Sequence, residues 1–193
     1  MSVVVVTGAA GLIGSMLRPR LARPGRTLRL LDLAPLAAGP GEEAFPVPDY
    51  AFPAPDTYYG VAKAATEAVA AMYHHRYGLD AICVRILSCF PRPASVRMLS
   101  TWLSPDDAGR LFEACLTAER PGFRVIFGVS ANTRGGWVSL AEARALGYQP
   151  QDDAEAYAAE IIAEHGPADP ATDPVLRHLG GEFTLPDAQV PQA

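Results

Sequence analysis

The chain has 193 residues and a formal net charge of −5, a length that suits one domain with a core of its own. With 49% hydrophobic and 19% charged residues, the composition is globular rather than disordered. The acidic balance and the lack of a basic run argue against a nucleic-acid or anionic-membrane partner, and no apolar stretch reaches the length of a membrane span. The start, Met1 to Gly14, has neither a basic flank nor a cleavage site and does not read as a signal peptide. Cys83, Cys89 and Cys115 are odd in number and lack metal spacing. They predict a chain without disulfides or a metal, working in a reducing cytoplasm.

The elements follow in order. Ser2 to Thr7 predicts a strand, because Val3-Val4-Val5-Val6 is β-branched and apolar throughout, as in a strand buried on both faces. A glycine turn leads into a helix from about Gly11 to Ala22, and Thr27 to Leu31 predicts a second strand ending at Asp32. From Leu33 to Asp56 six prolines, at 35, 40, 46, 48, 53 and 55, predict a long irregular connection, since proline removes backbone donors. An Ala-rich helix then runs from near Thr57 to Tyr77, stopped by Gly78. Leu79 to Leu87 predicts a third buried strand and Ser88 to Val96 a loop. Ser104-Pro105-Asp106-Asp107 is a helix start: a capping hydroxyl, proline in the first turn, then acids favoured by the dipole. That helix should reach about Glu119. A strand over Phe123 to Phe127 and helices over Leu140 to Leu146 and Asp153 to His165 follow. In outline, residues 1–165 predict a Rossmann-like α/β domain and residues 166–193 an irregular tail.

Thr7-Gly8-Ala9-Ala10-Gly11-Leu12-Ile13-Gly14 is a G-x-x-G-x-x-G turn, placed between a buried strand and a helix as a dinucleotide loop requires. Gly8 permits the tight turn, Gly11 lets the backbone approach a pyrophosphate, and Gly14 lets helix and strand pack closely. The helix start offers N–H groups and partial positive charge to the phosphates. Asp32 lies 18 residues after Gly14, where a carboxylate accepts hydrogen bonds from ribose hydroxyls and repels a 2′-phosphate, so NAD is favoured over NADP. The expected cofactor-binding set is Gly8, Ala10, Gly11, Leu12, Ile13, Gly14, Asp32 and Lys63. The competing reading of the glycines alone is a tight turn with no ligand.

Tyr59-Gly60-Val61-Ala62-Lys63 puts a phenol and an ammonium on one face at a helix start. A free phenol ionises near pH 10, and a neighbouring ammonium favours its anion, so such a pair can act as a base. Fifteen of the 16 basic residues are arginines and Lys63 is the only lysine, which marks a position where arginine does not substitute. The plain alternative is an ordinary Tyr and Lys one turn apart. Tyr58 is out of phase and structural.

Together the glycine turn, the acid after the second strand and Y-x-x-x-K resemble the short-chain dehydrogenase/reductase superfamily, in its extended NAD-dependent epimerase/dehydratase branch. Val84-Arg85-Ile86-Leu87-Ser88-Cys89, Arg97-Met98-Leu99-Ser100-Thr101-Trp102-Leu103-Ser104, Asp106-Asp107 and Gly128-Val129-Ser130-Ala131-Asn132 are similar to the uronate dehydrogenases within it. The likeness covers about residues 3–33 and 55–183. It implies hydride transfer from a sugar-acid hydroxyl carbon to NAD. Tyr59 would take the hydroxyl proton beside Lys63, Arg97 would pair with the sugar carboxylate, and Ser88 would line the same pocket past a strand end. Asn132, the only asparagine, is left without a role.

The chain departs from this pattern in one place. Only 26 residues separate Asp32 from Tyr59, where a doubly wound fold places three strands with their helices. At 30 or more residues per βαβ unit, roughly 60 to 80 residues are missing, among them the family's catalytic serine. Thr57 is no convincing substitute. The first strand then has an open edge. It pairs directly with the Leu79–Leu87 strand, or another chain fills the gap, or the fold is unstable. Three functions follow: a compact oxidoreductase, a vestigial NAD-binding protein, or a module that completes its sheet in a homo-oligomer.

Overall fold

The computed structural model describes residues 2–7, 18–19, 21–22, 24–31, 42–45, 48–55, 57–169 and 172–181. Strand β1 (Ser2–Thr7) lies parallel to β2 (Arg26–Leu31), and β2 lies parallel to β3 (Glu42–Phe45), in the order β1-β2-β3. Parallel neighbours need a crossover between them. Of the helix expected over the first crossover, residues 18–19 and 21–22 are described, and there Ala22 N donates to Arg18 O at 3.1 Å, a helical bond. In β2, Leu28 and Leu30 are buried while Arg29 is exposed. One face of this strand therefore meets a core and the other meets water.

β3 corrects the expectation of a wholly irregular connection over residues 33–56. The six prolines are not evenly spread, and Gly41-Glu42-Glu43-Ala44-Phe45 is a proline-free window between Pro40 and Pro46. Four of its residues pair with β2, Leu28 with Glu42 through Leu31 with Phe45. The strand sits at the sheet edge, where flanking prolines cost least because only one side must donate and accept. Asp49 then fastens the rest of the connection. It is buried, and its carboxylate accepts from the N–H of Phe127 at 3.4 Å and of Glu142 at 3.5 Å.

Helix α1 (Tyr58–Tyr77) has the expected bounds. Thr57 Oγ1 accepts from Gly60 N at 3.0 Å, and Gly78, at φ 70°, closes the helix by donating to His74 O at 2.7 Å. A left-handed stop of this kind suits glycine. The half-buried positions of α1 are 60, 64, 67, 70, 71 and 74, the stripe of a 3.6-residue period. It holds Gly60, Ala64, Ala70 and Ala71, small enough for close approach, and α1 lies against β4 (Ala81–Ile86) and β7 (Phe123–Gly128). β4 and β7 pair in parallel, Ala81 with Phe123 through Ile86 with Gly128.

Direct pairing of the first strand with the third predicted one does not occur. Among the described residues β1 hydrogen-bonds to β2, β4 to β7, and the two ladders are separate sheets. Among the described residues no strand joins them, and the architecture is a shortened Rossmann-like α/β fold with parallel strands. All six residues of β4 are half-buried or exposed, whereas the last four of β7 are buried.

The packing centre therefore lies around β7. Leu103, Leu111, Ala114, Ile126, Ala143 and Tyr148 form one buried cluster, and Leu99, Trp102, Ala154, Ala158 and Ile161 another. They belong to β7, α2 (Met98–Thr101), β6 (Trp102–Leu103), α3 (Pro105–Thr117), α4 (Ala141–Ala145) and α5 (Ala158–His165), with flanking turns. Gly128 is part of this packing, because a Cβ there would stand 2.7 Å from Leu111 Cδ2. α3 begins as expected, with Ser104 Oγ accepting from Asp107 N at 2.9 Å, and ends two residues before Glu119. The helix expected from Asp153 starts as a 3₁₀ turn, Ala154–Tyr157, capped by the Asp153 side chain, and becomes α5. The segment expected to be an irregular tail contains a second 3₁₀ turn, Pro174–Arg177, with Leu176 buried.

Candidate functional site

Past the end of β4 the chain enters a two-residue strand, β5 (Ser88–Cys89), which pairs with β6. Ser88 was expected in a loop. The ladder Ser88 to Trp102 and Cys89 to Leu103 instead fixes its backbone, and α2 fills the return from Arg97. The geometry brings two predicted site residues together. Arg97, at the N-cap of α2, donates from Nη1 to Ser88 Oγ at 3.1 Å. Ser88 Oγ also lies 3.0 Å from Thr101 Oγ1, and both hydroxyls are buried. Thr101 sits one helical turn after Arg97 and donates back to its carbonyl at 3.2 Å. The guanidinium lies 5.8 Å from the centroid of the Trp137 ring, a cation–π distance. Its Nη2 donates to the carbonyl of Leu179.

Tyr59 and Lys63 form the second pair. Lys63 Nζ lies over the Tyr59 ring, 5.2 Å from its centroid. Both side chains are exposed in the first turns of α1, Tyr59 to 69%. Pro55 packs on this turn so closely that a Cβ at Gly60 would meet Pro55 Cβ at 3.0 Å. Thr57 Oγ1 accepts from Gly60 N as the cap of this helix.

Gly8, Ala10, Gly11, Leu12, Ile13, Gly14 and Asp32 lie outside the described residues. The strands that carry them are described. β1 and β2 end side by side, Thr7 paired with Leu31, and Gly8 and Asp32 are the next residues in each case. In a doubly wound sheet the glycine turn and the ribose acid follow such strand ends, and Gly8 and Asp32 hold those places in the sequence.

Asn132 has a structural task. Its Nδ2 donates to Trp102 O at 2.8 Å and its Oδ1 accepts from Ala154 N at 3.1 Å, so one amide ties β6 to the 3₁₀ turn. Only a side chain with both a donor and an acceptor does this. Asp107, wholly buried, accepts from Gln151 N and Asp152 N at 2.9 Å each and pairs with Arg110. Tyr148 donates to Val129 O at 2.9 Å, and burial pushes its phenol well above the ordinary range. These groups hold the loops under the site.

Sequence reasoning missed Thr101, Trp137 and Leu179. Thr101 carried a signal, its i+4 spacing from Arg97. Trp137 is one of two tryptophans, but nothing local tied it to an arginine. The Leu179 contact spans 82 residues and no periodicity reports it.

No family model matches the chain. A uronate dehydrogenase of Pseudomonas putida is 41% identical over 131 residues, which are 68% of this chain and 48% of that protein. The chain thus spans about half the length of the curated relatives it matches. Among solved structures, a uronate dehydrogenase from Agrobacterium tumefaciens superposes with a TM-score of 0.67 and 30% identity, covering 95% of this chain and 96% of that one. The same enzyme, as a tyrosine-to-alanine variant complexed with NAD, gives the same score, identity and coverage. On sequence and fold together, the chain belongs to the uronate dehydrogenase group of the short-chain dehydrogenase/reductase superfamily.

Proposed function

We propose that the chain is an NAD-dependent oxidoreductase that oxidises a hydroxyl group of a hexuronic acid. The observation that carries this reading is the Arg97 guanidinium on Ser88 Oγ at 3.1 Å, just beyond the carboxyl end of β4. Ligands of open α/β sheets bind outside the carboxyl ends of the strands, and a planar guanidinium fits a carboxylate with two parallel hydrogen bonds. The relatives named above are uronate dehydrogenases, one of them complexed with NAD.

In this reading Arg97 binds the sugar carboxylate and Ser88 holds Arg97 and lines the pocket. Tyr59 takes the proton of the reacting hydroxyl. Lys63 stands against Tyr59 and meets the ribose hydroxyls. Gly8, Ala10, Gly11, Leu12, Ile13 and Gly14 receive the pyrophosphate, and Asp32 the adenosine ribose. NAD, when bound, supplies the hydride acceptor. The reading places the protein in a reducing cytoplasm, which its three free thiols support. Among the described residues no helix is long and apolar enough to cross a membrane. It also extends to a homo-oligomer, which light scattering of the purified chain tests.

The experiment is a calorimetric titration with NAD, followed by NAD reduction assays with galacturonate and glucuronate. Saturable binding and turnover that Tyr59→Phe abolishes support the proposal. NAD binding without turnover at high protein concentration overturns it in favour of a nucleotide-binding protein without catalysis. A folded chain that binds no NAD overturns both readings.

A further inference from the structure

The last described residues form a turn that ends against Arg97. Asp173 caps the 3₁₀ turn by accepting from Val175 N at 2.9 Å, Leu176 is buried, and Gly181 N donates to His178 O at 3.0 Å. Leu179 packs with Trp137 against the cluster of Phe127, Val129 and Val138, while its carbonyl accepts from Arg97 Nη2. Gly181 is buried at φ +58°, and a Cβ there would stand 2.8 Å from Arg97 Nε and 3.0 Å from Cζ. Arg97 is thus held by Ser88 and Thr101 on Nη1, by Leu179 on Nη2, by the Trp137 ring, and by Gly181 close beside Nε.

A flexible arginine binds a carboxylate with two parallel bonds only when the plane and rotation of its fork are set beforehand. We propose that Gly181 is a positioning residue for Arg97. By lacking a side chain it lets the turn at residues 178–181 close on the guanidinium and aim it at a substrate carboxylate. The proposal rests on the reading of Arg97 given above and adds the C-terminal turn and Trp137 to that site. The atom a new Cβ would strike belongs to the mobile end of Arg97, so Gly181→Ala displaces the guanidinium rather than the backbone core.

The test compares the full-length wild-type chain with Gly181→Ala and Gly166→Ala. Gly166 also has a positive φ, +75°, but open space around its Cβ position. The control therefore also puts alanine at a positive φ, without touching Arg97. Two quantities are read: the nuclear magnetic resonance signal of Arg97 Nε–H, assigned with Arg97→Lys, and calorimetric affinities for galacturonate and for NAD. The expected result is a displaced Nε–H signal and at least a tenfold loss of galacturonate affinity in Gly181→Ala, with NAD affinity within twofold. Gly166→Ala is expected to leave all three unchanged. An unchanged signal and affinity in Gly181→Ala overturns the proposal, and so do equal changes in both variants. Wild-type chain that binds NAD but no galacturonate defeats the carboxylate role of Arg97 itself, a failure seen before any variant is made. A signal that still moves in Gly181→Ala then reduces the turn to a structural clamp.

Discussion

Arg85 of β4 meets Glu67 of α1 in a two-pronged ion pair, Nε to Oε1 and Nη2 to Oε2, each 2.8 Å long. The same guanidinium donates to the carbonyls of Asp49 and Ala51 at 3.3 and 3.2 Å and lies 5.5 Å from the Phe127 ring centroid. One side chain therefore joins the helix that carries Tyr59 and Lys63, the strand that leads to Ser88, and the connection shortened in this chain. Glu67 stands among Gly60, Ala64, Ala70 and Ala71 on the inner stripe of α1, one turn after Lys63.

Replacing Glu67 by Gln keeps the shape and removes the charge. Both side chains are mostly but not fully covered, about four-fifths buried. The cost should fall between that of an exposed pair and that of a buried one, about 1 to 3 kcal/mol. Urea denaturation of Glu67→Gln measures it. A midpoint equal to the wild-type value refutes the view that this pair sets the helix on the sheet.

Asp49 is the second fastening of the shortened connection. Asp49→Ala leaves the N–H groups of Phe127 and Glu142 without their carboxylate acceptor. Leaving buried donors unmet costs on the order of 1–3 kcal/mol. Limited proteolysis should then cut between residues 48 and 55 faster than in the wild type. An unaltered digestion pattern refutes this pinning role.

These contacts mark the boundary of what the sequence could tell. The Val3–Val6 run, the Thr57 and Ser104 caps and the Gly78 stop were legible because each is set by neighbours a few residues away. β3 was hidden because its short window lacks a strong strand preference and lies among prolines, so pairing with β2 decides it. β5 and β6 have two residues each, too few for a period. At the site, Arg97 and Ser88 were legible through family likeness, and they are in contact. What surrounds Arg97 was not, since Trp137, Leu179 and Gly181 reach it from distant parts of the chain.

Asp153 gives a pH-dependent prediction. Burial works against its charge, but the Thr133 hydroxyl and the N–H groups of Glu155 and Thr133 outweigh that and hold its carboxyl below the usual range. A carboxyl that titrates lower when folded stabilises the fold above its unfolded pKa of about 4 and loses that contribution as pH falls through the lower folded value. Asp153→Ala should therefore cost about 1 kcal/mol at pH 7, as for a lost helix cap. The gap to the wild type should narrow below pH 4. Thermal melts from pH 7 to pH 2.5 decide this, and a gap that stays constant with pH removes the ionised carboxylate from the account.

Arg97→Lys separates charge from shape at the candidate site. Lysine retains the positive charge but not the fork, and it cannot bond Ser88, Leu179 and a carboxylate in one plane. If the carboxylate is held bidentately, KM for galacturonate rises at least tenfold, while kcat at saturation falls much less, because Arg97 has no part in the proton transfer proposed for Tyr59. A sugar without a carboxylate provides the contrast, since its weak turnover should not respond to the substitution. Equal losses on both substrates would assign Arg97 to the framework of α2 and the C-terminal turn rather than to substrate recognition.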